Sequence, residues 1–134
     1  MQARATGTFV VKMSPQTVHD EVPSLAVSRF SIDKQFHGDL LATSKGEMLA
    51  SRSVVQGSAG YVALEQVTGT LKGRVGTFVF QHSGTMARSM PQLSITVVPD
   101  SGTGQLVGLS GQLAINLVDG EHQYDFDYSI ADTE

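Results

Sequence analysis

The chain has 134 residues, no cysteine, no tryptophan and a formal net charge of −4 at pH 7. That length predicts one domain over 1–134, large enough to bury its own core. The missing cysteine excludes disulfides and thiolate metal ligands, and the acidic balance, without a basic stripe, argues against a nucleic-acid partner.

Period-two alternation dominates the chain. Ala5–Met13, Leu25–Phe36, Glu47–Gln56, Gly60–Leu71, Thr77–His82 and Gln92–Val98 all read as strands, rich in β-branched and aromatic residues and short for helices. Val107–Val118 alternates Leu109, Leu113, Ile115 and Leu117 against Ser110, Gln112, Ala114 and Asn116. From His122 to Ile130, His122, Tyr124, Phe126, Tyr128 and Ile130 share one face, opposite Gln123, Asp125, Asp127 and Ser129. Successive strand side chains point to opposite faces, so each run is half-buried.

Turn residues fall between the runs: Ser14-Pro15, Lys45-Gly46, Gly57-Ser58, Lys72-Gly73, Ser83-Gly84, Ser101-Gly102 and Asp119-Gly120. Asp119-Gly120 is a strong hairpin signal. Ser14–Ser24 and Gly84–Pro91 leave room for a helical turn. Gly38 is either a bulge within one long strand or a break between two. Short turns between strands mean antiparallel neighbours, and Gly69, Gly76 and Gly111 inside strand patterns favour strong curvature. The expectation is all-β: a closed antiparallel barrel of about eight strands.

Polar groups on apolar faces mark the candidate site. Glu65 shares a face with Tyr61, Ala63, Val67 and Leu71. An inward carboxylate there is either desolvated, with a raised pKa suited to acid–base work, or paired with Arg52, Arg74 or Lys72 across strands. His82 ends the Phe78/Phe80 face, where it either does acid–base chemistry or closes the barrel end as a hydrogen-bonded group. Arg29, on the face of Val27, is either the buried partner of an anionic group or an outer residue. Glu65 and His82 are the catalytic candidates. Arg29, Tyr61, Phe78, Phe80, Asp100 and Tyr124 are the ligand-binding candidates.

Other chemistries fit poorly. Asp100-Ser101-Gly102-Thr103 matches the aspartic-protease pattern, but Pro99 precedes it in a Gly/Ser-rich loop, where an Asx-turn is the simpler reading. Ser83 adjoins His82 and points to the opposite face, and Ser101 lacks a Gly-x-Ser-x-Gly frame. Gly102-x-Gly104 precedes a strand and not the helix N-terminus that a phosphate loop needs. His19, His37, His82 and His122 lack metal-ligand spacing. No cofactor and no metal are expected.

The segments Gly73–Met86, Val98–Gly111 and Gly120–Tyr128 resemble a bacterial family of unknown function whose members look like small barrels of the allene oxide cyclase-like type. The resemblance spans nearly the whole chain. It implies a closed barrel of about eight strands and no established activity. Barrels of that wider group hold a hydrophobic, oxygenated guest and form oligomers, an analogy that transfers no residue roles.

Two expectations follow. One is a barrel that binds or isomerises a small, largely apolar ligand. The other is a non-catalytic module that self-associates through an outer face, as the apolar residues on both faces of Val75–Phe80 and Leu93–Val98 suggest. No apolar run is long enough for a membrane span and the N-terminus lacks a signal pattern, so a cytoplasmic homo-oligomer without membrane partners is expected.

Overall fold

A computed structural model of the chain describes residues 2–16 and 27–131. Eight strands close into an antiparallel barrel in chain order. They are β1 (Gln2–Gln16), β2 (Ser28–Gly38), β3 (Leu40–Arg52), β4 (Ala59–Leu71), β5 (Arg74–Ala87), β6 (Met90–Val97), β7 (Leu109–Val118) and β8 (Glu121–Ile130). β8 pairs back onto β1, with Phe126 opposite Ala5, which closes the sheet. Among the described residues no helix is long and apolar enough to cross a membrane.

The alternation read from the sequence is the inside–outside pattern of the barrel. Phe126, Tyr128 and Ile130 are buried, as are Phe78 and Phe80. One end is packed solid. Phe78 and Phe80 meet edge to face at 4.9 Å, and Phe80 meets Phe126 in the same way at 5.3 Å. Leu40, Leu71 and Leu106 complete this layer. Each such side chain contributes on the order of 1.5–3 kcal/mol through burial.

Punctuation was the weaker guide. Lys45-Gly46 and Ser83-Gly84, expected as turns, lie inside β3 and β5. The reason is volume. A Cβ on Gly46 would stand 2.1 Å from the Leu64 carbonyl oxygen, and a Cβ on Gly84 would stand 2.4 Å from Tyr61 Cε1. Both are places where a neighbour approaches closely across the sheet. Gly38 is a break, closing β2 ahead of the turn into β3. The room for a helical turn in Gly84–Pro91 is not used: β5 continues to Ala87 and turns at Arg88-Ser89, both at positive φ. For Ser14–Ser24, residues up to Gln16 are strand, and the remainder, with His19, lies outside the described residues.

The Gly/Ser-rich connection after Val97 is structural. β6 pairs with β5 only from Phe80 to Ala87. Along the earlier half of β5 the connection replaces the missing strand. Val75 N donates to Gln105 Oε1 (2.9 Å), Thr77 N to Thr103 Oγ1 (3.0 Å) and Val79 N to Ser101 Oγ (3.1 Å). Ser101, Thr103 and Gln105, and not Asp100, hold those amides. β7 in turn meets β6 at a single paired position, Thr96 with Gln112.

Candidate functional site

Above the packed end lies a layer of buried polar groups. Lys34, Ser44, Glu65 and His82 come from β2, β3, β4 and β5 and are 8%, 3%, 1% and 4% exposed. Each alternates with apolar inward neighbours, so strand parity alone turns it into the barrel. Register then brings them together. Gly46 stands opposite Glu65, which places Ser44 and His82 at diagonal positions from it, within reach of longer side chains.

Glu65 is the hub. Its Oε1 accepts from Lys34 Nζ at 2.9 Å and from His82 Nε2 at 2.6 Å, and its Oε2 accepts from Ser44 Oγ at 2.5 Å. Lys34 Nζ also sits over the Phe9 ring, 4.9 Å from its centroid. Burial pushes the Glu65 carboxyl up. The His82 hydrogen bond, the Lys34 charge and the Ser44 hydrogen bond outweigh burial and hold it at about 2. This corrects the sequence-based alternatives. The carboxylate is neither raised nor paired with Arg52, Arg74 or Lys72, and its cationic partner is Lys34. Ionised Glu65 requires His82 to present Nε2–H, leaving Nδ1 to face Tyr61.

Tyr61 links the buried layer to the other end of the barrel. Its hydroxyl lies 3.3 Å from His82 Nδ1. Its ring sits over Gly84, directly opposite on β5. Burial, then the charge of Glu65, raises the phenol pKa, so Tyr61 keeps its proton near neutral pH. It also lines a cavity of about 610 Å³ at the end of the barrel where β3 and β5 finish. Phe30, Met48, Met86, Pro91 and Leu93 form its apolar walls.

The structure distributes the remaining candidates elsewhere. Phe78 and Phe80 are core, 1% and 0% exposed. Tyr124 fastens the packed end: its hydroxyl accepts from Leu40 N and donates to the His37 carbonyl, both at 2.9 Å. Asp100 is exposed in the β6–β7 connection, at the end of the barrel away from Tyr61. Arg29 is out of phase with Phe30, Ile32 and Lys34, so it faces outward, where it pairs with Glu47. Thus Glu65, His82 and Tyr61 converge, and Arg29, Asp100, Phe78, Phe80 and Tyr124 do not join them. Lys34 and Ser44 were missed. Lys34 carried the same signal as Glu65, a charge between Ile32 and Phe36 on one face. No group of three or more potential metal ligands forms among the described residues.

A family model described as a protein of unknown function matches residues 5–128. The chain belongs to the DUF3224 family. A DUF3224 protein of unknown function from Shewanella oneidensis MR-1, solved by crystallography, is 43% identical, with 99% of this chain and 100% of that chain covered and a TM-score of 0.93. No curated protein matches the chain. Neither finding connects this DUF3224 barrel to allene oxide cyclases.

Proposed function

We propose that the barrel binds a small, largely apolar molecule in the cavity at its open end, with an oxygen of the guest against the Tyr61 hydroxyl. The observation that carries this reading is the chain Tyr61–His82–Glu65, which runs from the cavity wall into the buried layer. A packed barrel needs no such path. Apolar walls with a few convergent polar groups are the usual make-up of a small-molecule site.

The same chain supports proton transfer. Tyr61 gives a hydrogen bond or a proton to the guest oxygen. In its doubly protonated form, with Nε2–H on the Glu65 carboxylate, His82 donates Nδ1–H to the Tyr61 oxygen, so the proton that Tyr61 gives up is made good from His82. A general acid placed at a carbonyl oxygen in this way stabilises the charge that develops there. Lys34 and Ser44 keep Glu65 ionised and fixed, so that it orients His82 and takes no proton itself.

Cyclooctanone, an apolar ring with one carbonyl, is a suitable probe. Calorimetric titration should show saturable binding, and Tyr61→Phe should weaken it about fivefold, the loss of one neutral hydrogen bond. Equal affinity in both proteins would rule out the Tyr61 contact.

A second reading, self-association, draws support from the outer face of β3 and β4. Leu49, Val62 and Leu64 are 45%, 52% and 55% exposed there, with Leu49 directly opposite Val62. Contiguous exposed apolar groups mark partner surfaces. Sedimentation should show an oligomer at micromolar concentration that Leu64→Lys dissociates. A monomer in the unsubstituted protein would end this reading.

A further inference from the structure

The cavity wall carries one charged side chain among the described residues, Arg52. Arg52 is the last residue of β3, paired across the sheet with Ala59. It has the same parity as Met48 and Ala50, so it belongs to the inward-facing row. Ala50 stands opposite Tyr61. Arg52 is two residues further along, roughly 7 Å nearer the rim. The other cations of β2 and β3 have carboxylate partners: Arg29 has Glu47, Lys34 has Glu65 and Lys45 has Asp33. Arg52 makes no ion pair with a described residue. No acidic residue among those described lines the cavity. The chain as a whole is acidic, so a lone inward cation at the rim of an apolar cavity stands out against its background.

We infer that the guest is an anionic amphiphile: an apolar body between Phe30, Met48, Met86 and Leu93, with a carboxylate or similar monoanion at the Arg52 guanidinium. This rests on the cavity reading above and adds the charge of the guest to it. A guanidinium presents paired donors that match a carboxylate, and a charge-assisted pair beside apolar walls is stronger than a neutral contact. A cationic guest would meet like charge at the rim. A neutral guest gains no charge pairing from Arg52.

Three matched probes separate the possibilities: octanoate, octanol and octylamine, each titrated calorimetrically at low ionic strength. Octanoate should bind most tightly and octylamine least. Added salt should weaken octanoate and leave octanol unchanged. Arg52→Gln should weaken octanoate about tenfold, about 1.4 kcal/mol, without changing octanol affinity or thermal stability. If octanol and octanoate bind equally and Arg52→Gln alters neither, the anion assignment is overturned while the cavity stands. If none of the three probes binds, the cavity reading falls and this inference falls with it.

Discussion

Lys34 and Glu65 form a 2.9 Å ion pair although β2 and β4 are not neighbours in the sheet. β3 lies between them, and its inward residues at this level are Ser44 and Gly46, both small. Lys34 reaches across that gap. The ammonium and carboxylate neutralise each other inside the barrel, and no buried side-chain polar atom among the described residues lacks a partner.

Removing one member should therefore be far worse than removing both. Lys34→Met leaves a buried carboxylate without its cation and should cost about 3–5 kcal/mol. Adding Glu65→Leu should recover much of that loss, since paired buried charges are often replaceable by apolar residues. Urea unfolding of both singles and the double variant measures the coupling. Additive losses would mean that the pair is not coupled.

Acid should unfold the barrel through Glu65. Its carboxyl is held at about 2 in the folded state, against an ordinary value of 4.5. Between those values the unfolded chain binds the extra proton, so stability rises with pH there. The contribution is fully present above pH 5 and is lost as pH falls toward 2. Glu65→Gln should flatten this dependence while lowering stability at neutral pH. A Gln variant with the same acid midpoint and slope would contradict the assignment.

Gly84 is the seat of the Tyr61 ring. Gly84→Val places side-chain atoms where Tyr61 Cε1 lies, so the ring must leave its position over β5 and its contact with His82. The expected result is loss of cyclooctanone binding with the barrel's circular dichroism retained. Undiminished binding would show that the seat is dispensable.

Thr103 stands in for a strand. Its hydroxyl accepts from Thr77 N and shares a 2.7 Å hydrogen bond with Thr77 Oγ1. Thr103→Val keeps the shape, removes the acceptor and should cost about 0.5–1.5 kcal/mol. Equal denaturation midpoints would show that the loop does not hold β5.

Strand existence was legible because inside–outside alternation is written in each segment by itself, as in His122 to Ile130. Strand ends were less so. β3 begins at Leu40 and runs through Lys45-Gly46, because a glycine that admits Glu65 looks, in sequence, like a glycine that turns the chain. Glu65 and His82 stood out against apolar neighbours, and their contact needed only the β4–β5 hairpin. The Lys34 contact depends on register across β2, β3 and β4 together, which no local pattern encodes. For the same reason burial of Glu65 was readable and the direction of its pKa was not: the sequence shows the apolar face, while the three compensating donors arrive from other strands. Arg29, Asp100 and Tyr124 were chosen for their chemistry, but Arg29 pairs with Glu47, Asp100 stands exposed in the β6–β7 connection, and the Tyr124 hydroxyl is held by Leu40 and His37.

The most direct test of the central claim is a nitrogen–proton correlation spectrum of the protein titrated with cyclooctanone. Amide shifts concentrated at Gly60, Tyr61, Gly84 and Met86, with none at Leu49, Val62 or Leu64, are the predicted result. Shifts confined to those outer-face residues, or no shifts at all, would contradict a guest in the cavity beside Tyr61.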